Sequence, residues 1–235
     1  MKVAGRNSVR RIATSDAHAD RDTRTRLLAA GKMLFAQRGY ERTSTAAISR
    51  EAKTSESQLM RHFEGKRGLL AAIFDDSWRL LNEQAQAAII PTRNAADATD
   101  AVLRTVIAAF ERDPELAWLL LLEGRRIHSG DSGVVLSRGY LEFVDLLQRV
   151  VKQDQIESPR RSTFGLAAIS SALIGAAEGM IRDRLIAVRA GRKPAFSLED
   201  VQLVFRHLIH ALLSQPRAAG RSQRKPTRRN RRPRS

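Results

Sequence analysis

Apolar residues recur at three- and four-residue spacing along almost the whole chain, and alternating strand-like runs between glycine-rich turns are absent. The pattern predicts an all-α protein of about nine helices. A first helix is expected to begin near the N-cap candidate Asp22, to place Leu27, Gly31, Leu34 and Phe35 on one face, and to end at Gly39. Two short helices follow, at about 45–52 and 56–62, and a long fourth from Lys66 is stopped by Pro91. Past a polar linker at 92–96, a fifth carries Val102, Val106, Ala109 and Phe110. Asp113-Pro114-Glu115 restarts a helix, with Asp as cap, Pro at the first position and Glu at the positive end of the dipole. Gly130-Asp131-Ser132-Gly133 reads as a turn before a seventh helix with Val135, Tyr140, Phe143, Leu146, Leu147 and Val150. Pro159 precedes an eighth, about 160–190, and Ser197-Leu198-Glu199-Asp200 opens a ninth that ends before Pro216.

Composition narrows the function classes. The 235 residues contain no cysteine, which excludes disulfides, thiolate zinc sites and thiol nucleophiles. The longest apolar run, 116–122, is far below the ~20 residues of a membrane span. The basic start, MKVAGRNSVRRIATSD, has no apolar stretch and is not expected to act as a secretory signal. The formal charge is +16, and its placement is uneven. Residues 216–235 hold nine bases and no acid, residues 1–21 hold five bases and two acids, and the span between is only mildly basic. We therefore expect a flexible basic arm at 1–21, folded helical parts at 22–68 and 69–215, and a disordered basic tail at 216–235.

The chemistry concentrates in Thr43 to Leu70, TSTAAISREAKTSESQLMRHFEGKRGLL. Ile48, Ala52, Leu59 and Phe63 give two short helices one shared apolar side, joined by Lys53-Thr54-Ser55. Ser55 with Gln58 forms a Ser-x-x-Gln capping box. A short second helix capped and braced in this way fits the DNA major groove, with its N-terminal side chains at base edges and its positive dipole end near phosphate. Glu56, Ser57, Gln58, Arg61 and His62 supply the polar face. Glu56 has two readings, a dipole-stabilising acid or an acceptor from cytosine N4.

This stretch, extended back to Arg24, resembles the DNA-binding domain of the TetR family of regulators. The matching residues are Leu27-Leu28-Ala29-Ala30, Leu34-Phe35, Gly39-Tyr40, Thr45, Ile48, Ala52, Ser55, Leu59, His62-Phe63, Lys66 and Leu69-Leu70. The resemblance implies an N-terminal three-helix helix-turn-helix domain followed by a larger helical ligand-binding and dimerisation domain. It also implies phosphate contacts from Thr45, Gln58, Arg61, His62 and Lys66, with Glu56, Ser57 and Arg61 reading bases. The sequence departs from the family at the turn, where the usual Gly-Val is Lys53-Thr54, and at Ser57, which replaces a Gly or Pro. Met60 stands for the usual Tyr, leaving an apolar contact such as one to a thymine methyl. Ala46 cannot read a base by hydrogen bond.

In the C-terminal half, Gly165, Ala168, Ala172, Gly175 and Gly179 put small residues along one helix face, and Leu198, Val201, Phe205, Leu208 and Leu212 repeat at the same spacing. Intrachain packing would account for both stripes. The resemblance implies instead a four-helix homodimer interface made by the last two helices, and a two-fold arrangement of reading heads on a near-palindromic double-stranded DNA operator. It further implies a small-molecule effector pocket, for which Trp78, Phe110, Trp118, Tyr140, Phe143, Glu178 and Met180 are the candidates. Glu178 and Arg182 also stand at i,i+4 and can satisfy each other. No cofactor or metal site is expected, His207-x-x-His210 having no nearby acid on its face.

These readings make a cytoplasmic bacterial regulator, on the nucleoid when bound, most simply a ligand-responsive repressor. The rival is a non-specific binder of nucleic acid or anionic membrane, driven by its basic ends. No Ser-His-Asp frame, phosphate-cradling Gly loop or dense carboxylate cluster points to an enzyme.

Overall fold

A computed structural model describes residues 5–123, 137–157 and 164–213, with side chains from 18 to 121, 137 to 153 and 164 to 212. Its helices are α1 (Gly5–Arg38), α2 (Thr45–Glu51), α3 (Glu56–Phe63), α4 (Lys66–Ile89), α5 (Ala95–Arg112), α6 (Pro114–Trp118), α7 (Arg138–Glu157), α8 (Leu166–Arg189) and α9 (Leu198–Leu213). Among the described residues there is no strand, as the all-helical pattern requires. The expected turn at Gly130 to Gly133, Val135 and the tail at 216–235 lie outside the described residues.

The caps explain most of the boundaries. Ser44 accepts from Ala47 N–H at 3.1 Å to start α2, and Asn94 accepts from Asp97 N–H at 2.8 Å to start α5. Asp113 caps α6 through Leu116 N–H at 3.0 Å, with Pro114 in the first turn. For α9 the box is reciprocal. Ser197 Oγ accepts from Asp200 N–H at 3.0 Å, and Asp200 Oδ2 accepts from Ser197 N–H at 2.7 Å and from the Ser197 hydroxyl at 2.9 Å. The backbone bond from Ser197, then its hydroxyl, hold the Asp200 carboxyl below its ordinary 3.8.

The first helix departs from expectation. It begins at Gly5, so Asp22 lies inside it, paired with Arg26 one turn on, and caps nothing. The reason is local: no Pro or Gly interrupts residues 6–30, and Ala recurs through the segment. Residues 5–21, expected as a flexible arm, are the first turns of α1.

Burial divides into a head and a body. The head core joins Leu27, Leu34 and Phe35 of α1, Ile48 of α2, Leu59 and Phe63 of α3, and Leu69, Leu70 and Ile73 of α4. It therefore runs several residues past position 68. The body core joins Leu103, Ile107 and Phe110 of α5 to Val150 and Val151 of α7, Ile169 and Leu173 of α8, and Val201, Phe205 and Ile209 of α9. The two meet at the end of α6, where the chain passes into a π-helical turn, Leu119–Glu123. Leu119 is fully buried in the head core, while Leu121 is buried in the body core.

Polar contacts tie the same junction. Lys32 of α1 pairs with Asp113, whose other oxygen caps α6. Arg189 at the end of α8 lies over the Trp118 ring at 3.8 Å and donates to the carbonyls of Ala36 and Gln37, the last turn of α1.

Gly68, in the first turn of α4, sits against the end of α3. A Cβ there would lie 1.8 Å from the Phe63 carbonyl oxygen, and backbone cannot swing aside as a side chain would. Gly68→Ala is expected to lower stability by about 3 kcal/mol or more in a urea titration, through forced displacement of α3. A loss under about 1 kcal/mol would show that the α3–α4 corner yields easily.

Candidate nucleic-acid interface

The turn between α2 and α3 is built by two short-range devices. At the end of α2, Lys53 N–H bonds Arg50 O at 3.1 Å and Thr54 N–H bonds Ser49 O at 2.9 Å, the paired bonds of a Schellman cap. That cap places Lys53 at φ +52°, a left-handed position that normally favours glycine. The end of α8 makes the same pair of bonds with a glycine in that place, Gly191 at φ +68°. At the start of α3, Ser55 Oγ accepts from Gln58 N–H at 3.3 Å, the first half of the expected box, and lies 2.8 Å from the Ser57 hydroxyl.

Capping fixes which side of α3 faces out. Leu59 and Phe63 are buried. Ser55, Glu56, Ser57, Met60 and Arg61 are exposed, and Gln58 is half-buried. Glu56 with Met60 and Ser57 with Arg61 make two adjacent i,i+4 rows, a polar strip with one apolar side chain in it. Thr45, at the first turn of α2, donates to Glu56 Oε2 at 2.6 Å, linking the two helices across the turn.

Three more of the expected residues meet groups elsewhere in the chain. Arg61 pairs with Asp20 of α1. The His62 side chain is 8% exposed, and its Nε2 lies 3.5 Å from the same Asp20 carboxylate. Lys66 donates to the carbonyls of Tyr40 at 3.0 Å, Thr43 at 3.3 Å and Glu41 at 3.5 Å, and its ammonium stands 4.4 Å from the Tyr40 ring centre. Three carbonyls use all three ammonium donors. Lys66 therefore braces the α1–α2 loop in this structure, and the phosphate contact implied by the resemblance would require it to leave those carbonyls. Burial, then the Glu41 carboxylate, push the Tyr40 hydroxyl above its ordinary 10, with Arg67 opposing, so the ring in this brace is neutral at ordinary pH. Asp20 was not legible as a site residue because the expected helix began two positions after it.

The effector candidates separate. Trp78 meets Tyr140 edge-on at 5.3 Å and Phe143 at 5.4 Å, so α4 and α7 bring these three together. Asn82 donates to Gly139 O at 2.9 Å beside them. Phe110 is buried and Met180 half-buried in the body core, and Trp118 packs on the head core under Arg189. Glu178 is half-buried on α8. Phe110 and Trp118 thus join hydrophobic clusters other than the one Trp78 and Phe143 share.

The interface candidates separate too. On α8, Ala168, Ala172 and Gly175 are exposed and Gly179 half-buried, and a Cβ on Gly175 would meet nothing within 4 Å. Gly165 is the N-cap of α8 and lies before its face. On α9 the expected stripe divides. Val201 and Phe205 are 0% and 4% exposed within the single chain, closed inside the body core, and Leu208 and Leu212 are half-buried. Among the described residues of α9 the large apolar side chains left bare are Leu203 and Val204, both 51% exposed. His207 Nδ1 donates back to Leu203 O at 2.8 Å.

A capped, outward-facing helix held on a three-helix head, carried by a larger helical body, defines a helix-turn-helix regulator of DNA. Residues 27–73 match the model of the bacterial regulatory proteins of the tetR family. That segment is a TetR-family DNA-binding domain, and the described body has the fold of TetR-family transcriptional regulators. Among relatives, the nucleoid occlusion factor SlmA of a Marinomonas species is 22% identical over 161 residues, 68% of this chain and 82% of that one. Among solved structures, the transcriptional regulator FadR of Bacillus subtilis, in complex with stearoyl-CoA, superposes with a TM-score of 0.68 at 13% identity, covering 81% of this chain and 97% of that one. AibR, in complex with isovaleryl coenzyme A and operator DNA, gives 0.62 at 19% identity, covering 82% and 98%.

The turn generates two substitutions of opposite sign. Lys53→Gly relieves a left-handed side chain and is expected to raise stability by about 0.5–1 kcal/mol. Ser55→Ala removes the α3 cap and is expected to lower it by about 1 kcal/mol. Urea midpoints at constant slope check both, and a destabilised Lys53→Gly would mean that the lysine stem contributes packing worth more than the strain.

Proposed function

We propose that the protein is a dimeric, ligand-responsive repressor that sets α3 of each subunit into the major groove of a near-palindromic operator. The observation that carries this reading is the exposed strip of α3, whose polar side chains are aimed outward by a cap and a buried apolar side. Ser57 stands where base edges would be read, Arg61 where a phosphate would be met, and Met60 offers a thymine methyl an apolar contact. The Ser55 cap and the α3 N-terminus face phosphate, with Thr45 and Gln58 beside them. The head acts as the reading unit, and the body from α4 onward as the dimerisation and effector unit, in the cytoplasm and on the nucleoid when bound.

The dimer is supported by the bare face formed by Ala168, Ala172 and Gly175 of α8 with Leu203 and Val204 of α9, since small residues let a second helix approach closely. The effector site is supported best where Trp78, Tyr140 and Phe143 converge between α4 and α7. Because two regulators of this fold were solved with acyl-CoA thioesters, that class is the first to screen. A second reading, non-specific polyanion binding, is favoured by the nine bases of residues 216–235.

A footprint of the full chain on the DNA upstream of its own coding sequence, at two salt concentrations and with or without residues 216–235, separates the two. A short protected near-palindrome that survives removal of the tail is the expected result, with weaker overall affinity and a shallower salt dependence. Protection that is diffuse or vanishes with the tail would favour the second reading. Arg61→Ala is expected to weaken binding on all sequences by about 1–3 kcal/mol, and loss confined to one base position would reassign Arg61 to base reading. Gly175→Glu has room within the subunit and is expected to give a folded monomer in sedimentation, so an unchanged dimer would remove α8 from the interface.

A further inference from the structure

We infer that Asp20 is an intramolecular stand-in for a DNA phosphate, a carboxylate that occupies the recognition helix in the free protein and sets its affinity for any duplex. The inference rests on the reading that the outer face of α3 meets DNA. In Glu56–Phe63, ESQLMRHF, Arg61 is the only permanently charged cation. Its side chain is 63% exposed and its guanidinium is paired with Asp20. The same Asp20 oxygen lies 3.5 Å from His62 Nε2, which is buried and has no hydrogen-bond partner. One carboxylate thus faces both basic groups at the end of α3, the geometry in which a backbone phosphate would be received.

Asp20 reaches them because α1 continues upstream of Asp22 and its extra turns cross α3. Arg24, one turn after Asp20, fixes that crossing. Its guanidinium lies 5.6 Å from the Phe63 ring centre and pairs with Asp76 of α4 at 3.1 Å, so Arg24 does not compete for Asp20. Across the turn, Glu56 holds the Thr45 hydroxyl at 2.6 Å in a similar way. DNA must displace a carboxylate to engage Arg61, and an exposed pair of this kind resists by up to about fivefold in an equilibrium constant. Unlike a water, the displaced group keeps its negative charge beside the phosphates.

The test is fluorescence anisotropy of the full chain on a labelled random-sequence 30-base-pair duplex, where phosphate contacts dominate, at several salt concentrations. Asp20→Asn keeps the size and removes the charge. We expect binding about three- to tenfold tighter and a log–log salt slope steeper by up to about one. In the Arg61→Ala background the same substitution should gain clearly less, a coupling that a general change of charge would not show. Unchanged or weaker binding by Asp20→Asn would overturn the inference, weaker binding assigning Asp20 to holding Arg61 in place. Equal gains in both backgrounds would overturn it as well. If no variant binds duplex DNA, the reading of α3 itself fails, whereas wild-type binding without a gain removes Asp20 alone.

Discussion

An eight-residue helix does not persist in water by itself, so everything the reading face does depends on the burial of Leu59 and Phe63. Full burial of two such side chains is worth about 3–6 kcal/mol against an exposed reference, enough to offset the nucleation cost of so short a helix. That burial needs three separate supports, Phe35 of α1, Ile48 of α2 and Leu69 of α4, which all meet in the head core. The loop before α2 is held in turn by Lys66, whose ammonium gathers carbonyls from Tyr40, Glu41 and Thr43. The start of α4 therefore closes the head twice, once with apolar side chains and once with a charge. The residue to which the resemblance gives a phosphate contact is, in this structure, the pin of the loop on which α2 stands.

The same logic of shared burial couples head to body. Leu119 lies in the head core and Leu121 in the body core, two residues apart on a π-helical turn. Such a turn carries one residue more per hydrogen-bonded ring than its neighbours, and so gives adjacent side chains directions that a regular α-helix would not. Asp113 at the start of this segment caps α6 with one oxygen and pairs with Lys32 of α1 through the other. At its far end Trp118 lies under Arg189, whose donors reach the last carbonyls of α1. A shift of α6 would disturb a salt bridge, a cation–π contact and a fully buried leucine together, all of which bear on α1. Since α1 supports α3 through Phe35, a change in the body has a continuous packed route to the reading face.

The parts of this architecture legible in the sequence are those set by local chemistry. Ser55, Asp113 and Ser197 were readable as caps because a cap needs only its own side chain and a neighbouring N–H. The left-handed residue at Lys53 was readable as a missing glycine, and the structure gives it φ +52°. What stayed hidden depended on choices between faces. On α9, apolar residues at 201, 203, 204, 205, 208, 209 and 212 cover more than half the helix circumference. Periodicity then marks the helix but cannot say which strip meets its own chain, so it does not separate the buried Val201 and Phe205 from the exposed Leu203 and Val204. The start of α1 was misjudged for a related reason. Asp22 has the chemistry of a cap, yet with no breaker upstream the helix runs through it and the carboxylate turns to Arg26 instead. The aromatic candidates shared helical spacing and size, which says nothing about which of three clusters each one joins.

The placement of charge follows from the two tasks a DNA reader must reconcile. Long-range attraction needs unpaired positive charge and is indifferent to sequence, whereas discrimination needs side chains held in fixed positions. A cation on the reading helix serves both at once, and unless opposed it would hold the protein on any duplex. Here the permanent cation of α3 is matched by Asp20, and the hydroxyl of Thr45 is held by Glu56. Residues 216–235 carry nine bases and no acid, and charge of that kind can raise the encounter rate without stiffening any contact to a base. Separating attraction from reading lets the affinity for all DNA and the preference for one site vary independently. That separation would be lost if the same nine bases were spread across the outer face of α3 and its neighbours.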